Sequence, residues 1–215
     1  DLVFTSAQEL VGGAGERVVY QGTGTTANIS GLTAGTTYYF RVYEYNNSGT
    51  NINYLTSTGT NNPNSTITSF TAPSTQASNI TFTNIQSGQV SIYWTNGDGA
   101  RRIVVARAGS ISDTPDNGMT ISPSYTFSAG TDIGNNTYIV YDGTGTIGSG
   151  NPITVTGLAA GTNYYFEVFE YNGTGTSSVF LNTTGTNNPN SFTTLLGQPT
   201  VQSSLLTFTN ITATG

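Results

Sequence analysis

The sequence predicts an all-β chain built as an array of antiparallel sandwiches, and three observations carry that reading. First, the chain repeats itself at an offset of 126 residues: Leu32 to Tyr45 (LTAGTTYYFRVYEY) and Leu158 to Tyr171 (LAAGTNYYFEVFEY) agree at 10 of 14 positions. Thr58 to Asn64 (TGTNNPN) recurs unchanged at Thr184 to Asn190, and Pro73, Phe82 and Ile85 recur as Pro199, Phe208 and Ile211. Self-similarity at a fixed offset marks an array rather than one globule. Second, short runs rich in Val, Ile, Thr, Tyr and Phe alternate with Gly/Asn/Thr-rich turns, and no segment sustains a 3.6-residue period. Third, the register holds one whole copy. Residues 1–72 read as the C-terminal part of a repeat, 73–198 as a complete repeat and 199–215 as the first strand of a following one. On that register the sequence reads as a window on a longer polypeptide.

Within the complete copy, strands are predicted at 78–84, 89–95, 101–107, 137–142, 152–156, 162–171 and 191–196. Seven short strands with turns between them suit an antiparallel sandwich. Asn96-Gly97, Asp98-Gly99 and Asn172-Gly173 supply the positive-φ positions that tight reversals need. Alternation in 162–171 assigns faces: Tyr164, Phe166 and Val168 point one way, and Tyr165, Glu167, Phe169 and Tyr171 the other. The same split sets Tyr38, Phe40 and Val42 against Tyr39, Arg41, Tyr43 and Tyr45. One face packs on the opposite sheet; the other is unusually aromatic for a solvent-facing surface.

Leu158-Ala-Ala-Gly161-Thr162-Asn-Tyr164-Tyr-Phe166-Glu-Val168 resembles the Leu-x-Pro-Gly-Thr-x-Tyr-x-Phe-x-Val signature of fibronectin type III domains, and Leu32 to Val42 is similar. The resemblance implies tandem fibronectin type III-like (immunoglobulin-like) antiparallel β-sandwiches. It implies that Tyr164 and Tyr38 form tyrosine corners, their hydroxyls bonding back to the preceding turn. Trp94, the single Trp, matches the core Trp expected on the second strand, where its large apolar area anchors the sandwich. Ala34 and Ala160 replace the signature Pro, a change expected to loosen the corner only slightly. An insertion after the third strand, 108–137, lengthens the repeat. The order RRIVVAR, insertion, VVY-GTG and tyrosine corner resembles repeats in large surface proteins of gliding and related Bacteroidota. That likeness implies adhesin or stalk modules exported to the cell surface.

The chain has no Cys, His or Lys, five Arg (17, 41, 101, 102 and 107), 7% charged residues and a net charge of −6. An average soluble domain carries roughly 25% charged residues, so Thr, Ser, Asn and Gly must solvate this surface. Such a surface suits an extracellular or cell-surface protein. Without Cys there is no disulfide framework, and each repeat depends on its apolar core. The acidic balance argues against nucleic-acid binding, which needs clustered Lys and Arg. No run of about 18 apolar residues exists to span a bilayer. Low charge also lets neighbouring repeats or fibres approach closely, which favours a stalk or filament.

Catalysis has little to work with. The residue inventory excludes a Ser-His-Asp triad, a Cys-His pair, a Lys nucleophile and a His-ligated zinc. Paired carboxylates remain in principle, but the acids sit mostly in loops: Asp98, Asp113, Asp116, Asp132 and Asp142. No enzymatic activity and no cofactor are expected. Glu170, and Glu44 at the same place in the partial copy, continue the inward series of their strands. Since the third strand runs antiparallel alongside, one of Arg101 and Arg102, with Arg102 favoured, is expected to pair with Glu170 at the rim of the sandwich, because an unpaired buried charge is costly; the other reading is a ligand-binding carboxylate. The aromatic faces (Tyr165, Phe169, Tyr171; Tyr39, Tyr43, Tyr45) have three readings. They are roofed by the insertion through Tyr125, Phe127 and Ile133, or contact neighbouring repeats, or stack on glycans. Asn96 to Gly99 lacks the spaced acids of a calcium loop and reads as a hairpin turn. The Gly22-Thr-Gly24 and Gly143-Thr-Gly145 stretches are not phosphate cradles, since no helix or Lys follows. Asn-x-Ser/Thr sequons, including Asn79, Asn135, Asn172, Asn182 and Asn210, fit surface exposure.

The function expected is a non-catalytic structural or adhesive repeat segment of a large secreted or surface-anchored bacterial protein, an adhesin stalk or surface filament. Its partners would be neighbouring repeats of the same chain, with surface glycans or other surface proteins beyond them. The alternatives are an accessory module of an extracellular polysaccharide-degrading enzyme and a homopolymeric filament subunit. Residues 1–72 lack the first three strands and any Trp equivalent. They are expected to depend on upstream chain or on strand complementation from a neighbouring molecule.

Overall fold

The computed structural model describes residues 2–10, 12, 15–46, 49–209 and 211–213. Its strands are β1 (Gln8–Glu9), β2 (Arg17–Val18), β3 (Thr37–Phe40), β4 (Tyr45–Asn46), β5 (Asn53–Tyr54), β6 (Asn64–Ile67), β7 (Ser78–Thr83), β8 (Gln89–Thr95), β9 (Arg101–Ala108), β10 (Tyr138–Gly143), β11 (Ile153–Thr156), β12 (Asn163–Asn172), β13 (Val179–Phe180) and β14 (Asn190–Thr193). Strands β7 to β14 form two antiparallel sheets. One runs β11-β8-β7; the other runs β10-β9-β12, with β13 and β14 both paired to β12 on its far side. That order is the two-layer plan of the immunoglobulin-like, fibronectin type III-like sandwich. All seven strands expected in 73–198 exist. The last expected run, 191–196, ends at Thr193, and two-residue β13 lies outside every expected strand.

Alternation decides what each face of β9 and β12 meets. Val104, Ala106, Tyr164, Phe166 and Val168 turn into the space between the sheets, packing with Ile80, Val90, Ile92, Trp94, Val140 and Val155. Ile103, Val105, Phe169 and Tyr171 turn the other way and form a second cluster with Ile139 and Phe180. The central strands are therefore buried on both faces, and each large side chain so removed from water contributes about 1.5–3 kcal/mol. The roof of the second cluster is the inserted segment, through Ile111, Met119, Ile121 and Ile133. This corrects two of the expected roofing residues. Tyr125 is 52% exposed, and Phe127 packs against the inter-sheet core, edge-on to Tyr164 at 5.0 Å. Among the described residues the insertion forms no extended strand between Gly109 and Thr137, but isolated bridges pair Thr126 with Thr156 and Asp132 with Tyr138. Backbone bonds join it to β11 and β10, the Phe127 amide to the Thr156 carbonyl at 2.9 Å and the Ile139 amide to the Thr131 carbonyl at 2.9 Å. Side chains add to this: Asn117 Oδ1 accepts from the Phe180 amide at 2.8 Å, and Asn182 Nδ2 donates to the Pro115 carbonyl at 3.2 Å.

The earlier part of the chain repeats the pairings of the later part. Thr37↔Ile67 to Phe40↔Asn64 on β3–β6 match Asn163↔Thr193 to Phe166↔Asn190 on β12–β14. Tyr45↔Tyr54 on β4–β5 matches Tyr171↔Phe180 on β12–β13. Among the described residues before Pro73, Ala7 is the one buried residue, as expected of a region with no counterpart of β7, β8 or β9.

Candidate functional site

The sites that organise this molecule are structural, and they cluster at β12. At one end Tyr164 folds back so that its hydroxyl accepts from the Ala159 amide at 2.9 Å; Tyr38 accepts from the Thr33 amide at 2.9 Å in the same way. Hydrogen bonding to the Thr33 side chain and then to its amide holds the Tyr38 phenol below its ordinary pKa. Trp94 is 4% exposed and meets Tyr141 edge-on at 5.5 Å; its indole Nε1 is buried with no hydrogen-bond partner among the described residues.

At the other end Glu170 lies directly opposite Arg102. Arg102 Nε reaches Glu170 Oε1 at 3.0 Å and a terminal guanidinium nitrogen reaches Oε2 at 3.2 Å. The side chains are 4% and 0% exposed, so the pair is enclosed within the sandwich, not set at its rim. The remaining hydrogen-bonding capacity is used nearby: Arg102 donates to the carbonyls of Gly99 and Gly145 at 2.9 and 3.1 Å, and the Gly97 amide donates to Glu170 Oε1 at 2.9 Å. Glu44 has different surroundings. It is exposed and makes no ion pair among the described residues, because among the described residues before Pro73 no strand pairs an arginine opposite it.

The outward aromatic positions divide between the two copies. Phe169 and Tyr171 are 0% and 2% exposed under the insertion, and Tyr165 is half-buried, so Phe169 and Tyr171 offer no contact surface. Tyr39 is 80% and Tyr43 41% exposed, whereas Tyr45 is half-buried against Tyr54 at 5.6 Å. The Arg41 guanidinium lies 4.5 Å from the Tyr43 ring centre. Tyr171 donates to Asp142 at 2.7 Å and accepts from Arg101 Nε at 2.7 Å; burial and then Asp142 push its phenol up to about 12. These three residues line a groove of about 410 Å³ with Met119, Ile121 and Thr174.

The turns Asn96–Gly99 and Asn172–Gly173 hold the segment that leads into β7. Asp98 accepts from the Thr75 amide at 2.8 Å and the Ser74 amide at 3.0 Å, and the Ser74 hydroxyl and Thr75 amide hold its carboxyl below the usual range. Asn172 accepts from the Ala100 amide and donates to the Thr71 carbonyl, both at 2.9 Å. A Cβ at Gly35 would meet the Phe70 ring at 2.5 Å and one at Gly173 would meet it at 2.9 Å, so this ring bridges the earlier tyrosine-corner loop and the later turn. Asp98 thus works as a clamp on backbone amides.

In the sequence Asn188 stands out only as part of a repeated motif. It is 1% exposed and fills the gap between β13 and β14. Its Oδ1 accepts from the Val168 amide at 2.9 Å, while Nδ2 donates to the carbonyls of Val168 and Ala77 at 2.9 Å each. One side-chain amide therefore continues the ladder along β12 and ties it to the chain entering β7. Recurrence of TGTNNPN was the signal; its meaning depends on β12, twenty residues earlier.

Glu167 is 6% exposed and has no hydrogen-bond or ion-pair partner among the described residues, so burial alone raises its pKa to about 7. A carboxyl whose folded pKa exceeds its unfolded value binds more protons when folded, and stability falls as pH rises. Here the cost is absent below about 4.5, grows toward pH 7 and is complete above it. Glu167→Gln is expected to match the parent near the acid end and to exceed it by on the order of 2 kcal/mol above neutrality, allowing for partial solvent screening. Urea titrations of both proteins at the two ends of that window check it; equal differences at both ends reject it.

No protein-family model and no curated protein matches the chain. Solved structures similar to parts of it include a computationally redesigned β-sandwich protein (18% identity, 58% of this chain and 94% of that one, TM-score 0.29). The solution structure of a fibronectin type III domain derived from human KIAA0970 protein is 14% identical over 65% of this chain and 87% of its own, with a TM-score of 0.33. Rat CD45 extracellular domains d3–d4 are 12% identical over 82% of this chain and 78% of theirs, with a TM-score of 0.32. Strand order and the tyrosine corner define the class: an antiparallel sandwich of the fibronectin type III-like kind. No helix is long and apolar enough to cross a membrane among the described residues.

Proposed function

We propose that the chain is a non-catalytic spacer segment of a large secreted or surface-anchored bacterial protein. In this reading it is part of an adhesin stalk or surface filament in which successive repeats, bounded near 72 and 198, stand at fixed spacing. The observation that supports this most is the linker. A tether between independent domains would leave its backbone to water, whereas here Asp98 and Asn172 hold Thr71, Ser74 and Thr75, and the Phe70 ring lies between Gly35 and Gly173. The turns that other sandwiches leave open for ligands are occupied by the incoming chain, so any adhesive contact falls on the flanks. Exposed Tyr39 and Tyr43 are candidates for such contacts with surface glycans or proteins.

Amide hydrogen exchange on the full chain tests the spacer role. Thr75 and Ser74 are expected to be protected in the parent and to exchange rapidly in an Asp98→Ala, Asn172→Ala variant that keeps its core protection. Fast exchange at both amides in the parent would make the linker a loose tether and overturn the proposal. Turnover of a polysaccharide panel by the purified chain would overturn the non-catalytic part.

A further inference from the structure

We propose that the inserted segment guards the open edges of the sandwich: it occupies backbone groups of β10 and β11 that a strand from a second copy of this chain would otherwise pair with. On one flank the two sheets are joined without it. The Asn79 and Ile80 amides donate to the Thr186 and Asn187 carbonyls at 2.8 and 3.2 Å, and Asn190 Nδ2 donates to the Ile80 carbonyl at 2.8 Å. The opposite flank ends in β11 on one sheet and β10 on the other, and there the insertion supplies the partners. The Thr156 amide donates to the Tyr125 carbonyl at 2.8 Å, and the Thr156 carbonyl accepts from the Phe127 amide at 2.9 Å. The Ile139 amide donates to the Thr131 carbonyl at 2.9 Å, and the Ile139 carbonyl accepts from the Ser124 amide at 3.1 Å. One stretch of eight residues, 124–131, thus reaches both edges.

The sequence gives these edges little other defence. Proteins blunt an exposed edge with charged side chains, Lys above all, with Pro or with a bulge. This chain has no Lys, and neither residues 138–141 (YIVY) nor β11 (ITVT) carries a charge or a proline. A register shift between Ile139 and Tyr141 bends β10, whereas β11 pairs with β8 without one. Uncharged runs of β-branched and aromatic residues pair readily with copies of themselves, and a surface with 7% charged residues repels an approaching copy only weakly. The cover fits closely. A Cβ at Gly130 would run into the Ile139 carbonyl oxygen, and one at Gly157, where φ is 75°, would meet the Thr126 methyl at 3.0 Å. A second copy is the partner kept out, because chains lying side by side present this same edge to each other, and antiparallel pairing of like edges is two-fold symmetric. In a stalk or filament the guard keeps neighbouring chains from joining sheet to sheet.

The Thr131 amide donates to the Ser122 carbonyl at 2.8 Å, so the ends of stretch 123–130 lie side by side and it can be cut out. The full chain with residues 123–130 replaced by Asn-Gly bares Thr156 and the Ile139 carbonyl. Sedimentation velocity from micromolar to millimolar concentration tests it, with amide exchange at Val104 and Val168 reporting an intact core. The shortened variant is expected to associate at least about tenfold more tightly than the parent. Thr154→Lys in its background, a charge at an exposed position of β11, is expected to return it to the parent's level. Gly130→Val, which keeps the rest of the insertion, is expected to speed exchange of the Ile139 amide and to raise association in the same direction. A folded shortened variant that sediments like the parent at every concentration would overturn the proposal, as would association that Thr154→Lys leaves unchanged. If loss of Phe127 unfolds the shortened chain, Gly130→Val carries the test, and fast Ile139 exchange with unchanged sedimentation overturns it. Protection of the Ser74 and Thr75 amides is a separate readout, so the spacer role stands or falls independently.

Discussion

Replacing Glu170 with alanine is expected to destabilise the sandwich by about 3–5 kcal/mol, because it leaves the Arg102 guanidinium buried and unpaired. Arg102 would keep only the Gly99 and Gly145 carbonyls as acceptors, and the Gly97 amide would lose its own acceptor. Denaturant unfolding followed through Trp94, the single tryptophan, reads the loss directly. Arg102→Met with Glu170→Leu separates two explanations. If the loss is the penalty of a stranded charge, replacing both partners by apolar groups restores most of it. A loss below about 1 kcal/mol for Glu170→Ala, typical of an exposed pair, would mean that water reaches the guanidinium and that its enclosure is misjudged.

Asn188→Ala is the second large effect. It removes one side chain and orphans three buried backbone groups: the Val168 amide, the Val168 carbonyl and the Ala77 carbonyl. Each unsatisfied buried group costs about 1–3 kcal/mol, so a loss of about 3 kcal/mol or more is expected even if one is rehydrated. Faster exchange of the Val168 amide should accompany it. Asn62→Ala makes the natural control: the same bonds to Val42 lie at an exposed site, and its effect on the folded monomer should be under about 1 kcal/mol. Equal effects at the two positions would refute the assignment of Asn188 as a buried stitch.

What was readable in the sequence were features with a local rule behind them. Period-two alternation places Tyr164, Phe166 and Val168 on one face of β12 and Phe169 and Tyr171 on the other. Antiparallel adjacency then brings the start of β9, Arg101-Arg102, beside Glu170, and the observed register selects Arg102. What was not readable depended on contacts between distant segments. β13 is two residues long, too short for any periodic signal, and exists because Tyr171 and Asn172 offer it an edge. The insertion has no periodicity either; its path is set by isolated backbone bonds to β10 and β11 and by Asn117 and Asn182 reaching backbone groups far from them in sequence. Hence Ile111, Met119 and Ile121 roof the second cluster while the more conspicuous Tyr125 and Phe127 lie elsewhere. The shared Glu at 44 and 170 promised equal roles, but a charged side chain takes its role from its neighbour, and only one of the two has an arginine there.

The Arg102–Glu170 pair also bears on how such a chain yields when pulled. Sliding β9 past β12 by one residue toward an alignment of Ile103 with Glu170 would carry Arg102 to the other side of the sheet and leave the carboxylate in a nonpolar layer. The opposite slide sets Arg101 across from Glu170 and keeps the carboxylate paired. The doubled arginine at the start of β9 therefore makes the sheet directional: it resists slip one way and tolerates it the other.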